Sequence, residues 1–274
     1  MKRDKAPAIE TAGLGFSIDG HDILSGIDLR VMRHQWIGLI GPNGCGKSTL
    51  LKNIYRQYQP SAGAVYVNGD DVRGLKNKAL ARRMAVLAQE NNLEFDFTVR
   101  EIVAMGRYAH RSFLQAATDE DDAVCAAALE TVGMSGFAER SFLSLSGGEK
   151  QRVYMAMAFA QQSEILILDE PTNHLDIGYQ LHLMDTLRQQ QRDRGVTVFT
   201  SIHDMDLAAA YCDRIIMMDR GRIVAQGLPE EVLRADLIQS VFHVDVEITT
   251  DSETDRRRVR YLRYHSDESR ATRA

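Results

Sequence analysis

The sequence predicts an α/β fold with a β-rich start, a helical centre and a parallel sheet covered on both faces. Three observations predict it. The first ninety residues hold short apolar or alternating runs broken by Gly and Asp, the centre has helical spacing, and the third part alternates strand-like and helix-like runs.

Taken in order, "AIETAGLGFSI", "HDILSGIDLRV" and "QWIGLIG" read as strands separated by tight turns, and "GAVYVNGDDV" adds another with an Asn-Gly turn signal. "TVREIVAMGRYAH" and "DEDDAVCAAALETVGM" read as helices, with Asp119, Glu120, Asp121 and Asp122 suited to a first helical turn. Then "EILILDEP", "IGYQLHLMDTLRQQQRDRG", "VTVFTSIHD", "MDLAAAYC" and "RIIMMDRGRIVAQG" alternate strand and helix, the pattern of a parallel sheet covered on both faces. In the tail, "HVDVEITT" and "RRRVRYLRY" flank "DSETD" and read as a hairpin. Its arginines at 256, 257, 258 and 260 suit a solvated strand face more than a lipid or regulator contact. The last ten residues read as disordered.

Composition narrows the function classes. A 44% hydrophobic, 26% charged chain is that of an ordinary globular protein, and a net charge of −5 gives no footprint for nucleic acid. No apolar run approaches the roughly 18 residues of a membrane span, and the first ten residues lack the apolar core of a secretory signal. Cys45, Cys125 and Cys212 are far apart, which argues against a disulfide framework or zinc site and fits a reducing compartment.

Two motifs carry chemistry. "GPNGCGKS" fits G-x-x-x-x-G-K-[ST] from Gly41 to Ser48, between the apolar run "IGLI" and the helical "STLLKNIYRQY". In such a loop the backbone amides of Gly41, Pro42's neighbour Asn43, Gly44, Cys45, Gly46, Lys47, Ser48 and Thr49 face phosphates, with Pro42 shaping the turn. Lys47 reaches the terminal phosphates and the Ser48 hydroxyl meets Mg²⁺. "ILILDEP" ends a buried strand on two carboxylates, Asp169 for the metal and Glu170 to polarise an attacking water. By itself such a run is more often a strand ending in a polar turn; beside the phosphate loop it reads as catalytic.

A third stretch, "LSLSGGEKQR", sets Ser146, Gly147 and Gly148 before a helix, a second helix start suited to an anion. Together, the phosphate loop, "LSGGEKQR" and "LDEP", in this order and spacing, resemble the ATP-binding subunit of an ABC transporter over about residues 8 to 235. The resemblance implies a P-loop NTPase fold with a mixed/parallel sheet core, an antiparallel β subdomain and an inserted helical subdomain. The ATP-binding domain would span 1–250, with its core over about 8–90 and 162–235 and helices over about 91–161; a C-terminal hairpin extension and tail would cover 236–274.

The resemblance also implies a head-to-tail homodimer in which Ser146 and Gly148 touch the γ-phosphate of ATP held by Lys47 of a second copy. Family members commonly have Gln where this chain has Glu149. Gln89 matches the glutamine that contacts Mg²⁺ and water, His203 the histidine on the γ-phosphate, and Asp176 the aspartate linking the two sites. His203 also suits a structural role, and Asp176 a helix N-cap. The family's adenine-stacking aromatic falls at Ile18, and Phe16, two residues earlier on the same strand face, is the candidate substitute, so either residue could meet adenine.

The segment "EFDFTVREIVAMGRYAHRSF" and "HLDIGYQLHLM" look most like importers of iron–siderophore complexes, haem or cobalamin. The implied cofactors are ATP and Mg²⁺, and the implied partners are permease subunits and, indirectly, a substrate-binding protein, at the cytoplasmic face of the membrane. Met105, Tyr108 and Phe113 would then lie near a groove for a permease helix, or are core. A DNA-repair ATPase of this family would need a long coiled coil between Gln89 and Ser146, and a translation-type factor a second cassette. A non-catalytic regulatory subunit is disfavoured by Lys47, Glu170 and His203 together.

Overall fold

The computed structural model describes residues 6–88, 95–112, 115–173, 175–252 and 257–265. Strands β1 (Ile9–Ile18) and β2 (His21–Val31) form an antiparallel hairpin through the Asp19-Gly20 turn. Strands β4 (Ala62–Val67) and β5 (Asp70–Asp71) form another through Asn68-Gly69, giving a four-stranded sheet in the order β2-β1-β4-β5. These two-residue loops suit the twist of paired strands.

The second sheet holds β3 (Trp36–Ile40), β6 (Met84–Leu87), β7 (Ile165–Asp169), β8 (Thr197–Ser201), β9 (Arg214–Asp219) and β10 (Arg222–Gly227) in the order β10-β9-β3-β8-β7-β6. All its pairings are parallel except β9 with β10. Strands β3, β7 and β8 are buried along their whole length, as the central strands of a doubly covered sheet should be. Side chains alternate between two cores: Ile37, Leu39, Ile165 and Ile167 pack with the antiparallel sheet, while Trp36, Ile40, Leu166 and Leu168 pack with the helices on the other face. Every pairing places the carboxyl ends of β3, β7 and β8 together, and the chemistry gathers there.

The central helices are α3 (Val99–Met105), α4 (Asp119–Thr131) and α5 (Gly147–Ala160). Thr98 and Thr118 cap α3 and α4, each in a reciprocal capping box, with Glu101 and Asp121 respectively. The acidic run does occupy the first turn of α4, and Asp121 goes further: it pairs with the buried Arg107 at 2.8 Å and with Arg111 at 3.0 Å. Those guanidiniums hold its carboxyl well below the usual range, and Arg107 in turn donates to the carbonyl of Ala160 at 2.8 Å. Helix α3 tightens into a 3₁₀ turn over Gly106–Ala109, where a Cβ on Gly106 would sit 2.3 Å from the Met157 carbonyl oxygen of α5. Tyr108 is therefore exposed rather than core, Met105 is half-buried, and Phe113 lies outside the described residues.

Several short helices carry no clear sequence periodicity: α2 (Asn77–Arg83), α8 (Pro229–Val232) and α9 (Ala235–Phe242), beside α1 (Lys47–Ile54), α6 (Ile177–Arg194) and α7 (Met205–Tyr211). Residues 236–242 thus belong to a helix, and the hairpin begins after it, with β11 (Val244–Thr250) and β12 (Arg257–Tyr264) antiparallel. Val259 is buried, and its N–H donates to the Asp206 carboxylate at 2.8 Å, which fastens the hairpin to α7. Exposed Arg258 and Arg260 pair with Asp251 and Glu247, as a solvated face would, while Arg256 lies outside the described residues.

Candidate active site

The loop after β3 curls into α1 through Gly46, whose φ of 103° is open to glycine and whose absent Cβ avoids Leu24. No side chain caps α1, so its first amides are undressed. Lys47 is 5% exposed, its ammonium donating to the carbonyls of Gly41 at 2.7 Å and Pro42 at 3.0 Å. Burial raises the pKa of the Cys45 thiol within the same loop, with Lys47 opposing, which keeps it a packed thiol rather than a thiolate. A cleft opens here, lined by Ile23, Asn43, Gly44, Gly46, Lys47 with Ser48 and Thr49, and on its far side by Glu170, Asn173 and His203.

At the end of β7, Asp169 is 3% exposed and accepts from the Ser201 hydroxyl at 2.6 Å. Glu170 follows at φ 53°, in the left-handed region, and its N–H donates to the same hydroxyl at 2.8 Å. One oxygen of its carboxyl meets His203 Nε2 and the other accepts from the Asn173 amide. The structure thus brings Gly44, Gly46, Lys47, Ser48, Thr49, Glu170 and His203 to one cleft, as the sequence predicts. Ser201 and Asn173 escape sequence reading. A serine inside an apolar strand carries no signal, and only the pairing of Asp169 with Ser201 in the parallel register of β7 and β8 reveals it.

The adenine assignment changes. The β1–β2 pairing has irregularities on both sides of Phe16, and the two residues differ in surroundings. Phe16 is 9% exposed and stacks on Tyr58, centroids 4.9 Å apart, whereas Ile18 is 45% exposed. Phe16 is committed to packing and is no substitute for an adenine-stacking aromatic. Gln89 lies outside the described residues.

The third motif lies elsewhere: among the described residues lining the cleft there is no Ser146, Gly147, Gly148 or Asp176. Ser146 caps α5 in a reciprocal box: its N–H and hydroxyl donate to the Glu149 carboxylate at 2.8 and 2.7 Å, and the Glu149 N–H returns to the hydroxyl at 3.4 Å. These bonds lower the Glu149 pKa. Helix α5 also touches the turn after β7 in its own chain, through the Gln151 amide donating to the Pro171 carbonyl at 3.2 Å. Asp176 caps α6 through the Tyr179 N–H at 3.0 Å.

As a donor set for Mg²⁺, one hydroxyl (Ser48) and one buried carboxylate (Asp169) fit a cation that keeps waters and phosphate oxygens as its remaining ligands. No cluster of three or more His, Cys, Asp or Glu side chains suited to a metal occurs among the described residues, so an all-protein cage is not on offer there. The same residues show no helix long and apolar enough to cross a membrane.

Comparison with known proteins agrees with this geometry. The family described as ABC transporter matches residues 24–173. The iron(3+)-hydroxamate import ATP-binding protein of Bacillus subtilis is 38% identical over 249 residues, 91% of this chain and 93% of that protein. The cobalamin import ATP-binding protein of Halobacterium salinarum is 40% identical over 90% of this chain, which spans 61% of that protein's length. The dimeric structure of a bacterial ABC transporter cassette, 25% identical, superposes with a TM-score of 0.74 over 81% of this chain and 98% of that one. With the phosphate loop, the carboxylate strand end and the signature helix each in place, the chain belongs to the ABC transporter family, as one of its ATP-binding, ATP-hydrolysing subunits.

Proposed function

We propose that two copies of this chain hydrolyse ATP between them, at the cytoplasmic face of the membrane, to drive permease subunits that import a ferric chelate delivered by a binding protein. The observation that carries the catalytic reading is the Glu170 carboxyl, held on both oxygens by His203 and Asn173 across the cleft from the phosphate loop. A carboxylate so fixed is oriented to take a proton from water attacking the γ-phosphate in line. The α1 amides and the Lys47 ammonium bind the phosphates and stabilise their developing charge. Ser48 and Asp169 would hold Mg²⁺, with Gln89 added by resemblance; when bound, the cation neutralises phosphate charge. His203 reaches both Glu170 and the γ-phosphate, and exposed Ile18 contacts adenine without stacking.

The signature start, lying off its own chain's cleft, supports a site completed in trans. ATP bound at one copy's Lys47 presents its γ-phosphate to Ser146, Gly147 and Gly148 of the other, with Asp176 between the two sites. Because ADP lacks that phosphate, ATP alone favours the closed pair. Glu170→Gln should keep ATP binding while turnover falls about 10²-fold or more, the scale for removing a general base. Near-normal steady-state ATPase in that variant would contradict the assignment.

The hydroxamate-importer relative, matched along 91% of this chain and 93% of its own length, supports an iron–siderophore cargo. Cobalamin is the second reading, favoured by the 40% identical relative of which the chain spans 61%. Co-purifying the permease and binding protein and identifying the retained chelate tests this. A ferric siderophore is expected; cobalamin or haem would overturn the cargo and leave the ATPase reading intact.

A further inference from the structure

We propose that Ser201 is a positioning residue for hydrolysis, setting both carboxyl groups of the catalytic turn through one hydroxyl; this rests on the roles proposed above for Asp169 and Glu170. Ser201 is the last residue of β8, between the strand that feeds the phosphate loop and the strand that ends in the two carboxylates. It pairs with Leu39 on one side and Asp169 on the other, and the next N–H, of Ile202, donates to the Leu39 carbonyl at 3.0 Å. Its side chain is 1% exposed and cannot exchange partners with bulk water.

The hydroxyl is used in both senses. Its proton goes to Asp169 Oδ1 at 2.6 Å, and its oxygen receives the Glu170 N–H at 2.8 Å. Holding Oδ1 fixes the rotation of the Asp169 carboxyl and directs Oδ2 as the oxygen left for a hydrated cation. Holding the N–H pins the backbone of Glu170 in its left-handed conformation, at φ 53°, which a side-chain-bearing residue keeps only when its surroundings enforce it. Two residues on, His203 meets the Glu170 carboxyl, so the segment 201–203 grips Glu170 at backbone and side chain.

Without the hydroxyl, a buried carboxylate oxygen and a buried N–H both lose a partner, and the turn has reason to rearrange. The phosphate loop has no such dependence: Lys47 is held by the carbonyls of Gly41 and Pro42, and no side chain sets the first α1 amides. Loss of Ser201 should therefore slow chemistry and loosen the metal side of the site while sparing nucleotide capture.

The test compares Ser201→Ala and Ser201→Thr in the full chain, by steady-state ATPase against ATP and Mg²⁺, by binding of a fluorescent ATP analogue with and without Mg²⁺, and by thermal unfolding. Ser201→Ala should lose about 10- to 100-fold in kcat, the scale of a small misplacement of reacting groups, with KM for ATP within about twofold. Its analogue affinity without Mg²⁺ should match the unaltered chain, while the Mg²⁺ needed for half-maximal analogue binding rises. Ser201→Thr, which keeps the hydroxyl, should recover most of the turnover. Unchanged kcat and Mg²⁺ dependence in Ser201→Ala would overturn the proposal. So would equal impairment in the folded threonine variant, or loss of metal-free analogue binding. Glu170→Gln run in parallel separates the failures: if it turns over normally the role of Glu170 falls, and if it is dead while Ser201→Ala is normal only the role of Ser201 falls.

Discussion

Two helix starts in this molecule suit an anion, and they are dressed differently. Helix α1 begins at Gly46 with no side-chain cap and no acidic residue in its first turn. Helix α5 begins at Ser146 with a complete capping box, in which the Glu149 carboxylate takes the Ser146 N–H and the Ser146 hydroxyl. A capping residue satisfies the orphan amides of a helix end that has no other partner, and an uncapped end implies that something else does so. The phosphate loop is thus built to receive its anion from solution. On the function proposed above, the signature holds a carboxylate at its Ser146 hydroxyl and N–H until the γ-phosphate of a second copy's ATP approaches, and then exchanges one negative partner for another.

Breaking each start separately should give opposite signatures. Lys47→Ala should lose ATP binding by the single chain together with turnover, on the order of 10³-fold, because its ammonium acts on the phosphates directly. Ser146→Arg should leave single-chain ATP binding within about twofold while removing ATP-driven closure and turnover, because it fills only the trans half of the site. Equilibrium dialysis with nucleotide, beside phosphate release, separates the two. A Ser146→Arg chain that fails to bind ATP would show that both starts serve one cis site.

The difference sharpens with a gentler change. Glu149→Gln keeps a box-forming side chain but removes the charge that a γ-phosphate must approach. The ATP concentration for half-maximal closure should fall about two- to fivefold, the range for one charge at a helix N-terminus. Sedimentation of the Glu170→Gln, Glu149→Gln double variant against Glu170→Gln alone measures it without turnover. A rise in the required ATP would show that the carboxylate helps the phosphate bind.

What was legible in the sequence follows the range of the interactions involved. Gly41–Thr49 could be read because its chemistry lies in one continuous run between a strand and a helix. The parallel sheet could be read because short strand-like runs, β3 and β7 nearly all apolar, alternate with helix-like runs along the third part of the chain. Ser201, Asn173 and Gln151 could not, since each acquires its role from register or packing against a segment distant in the chain or across a turn. Phe16 misled because its ring is buried against Tyr58, a partner distant in the chain that strand alternation cannot announce. Helices α2, α8 and α9 were hidden by their length, four to eight residues, too short for a helical period to declare itself.

The central claim is that the α5 start is half of a site finished by a second copy. Mixing two dead variants tests it most directly. In a mixed pair of Lys47→Ala and Ser146→Arg chains, one composite site carries both lesions and the other carries neither. The account predicts that phosphate release, absent from either variant alone, returns on mixing to about a quarter of the unaltered rate, given random pairing and one intact site per mixed pair. No recovery at any mixing ratio, with mixed pairs shown to form, would contradict it.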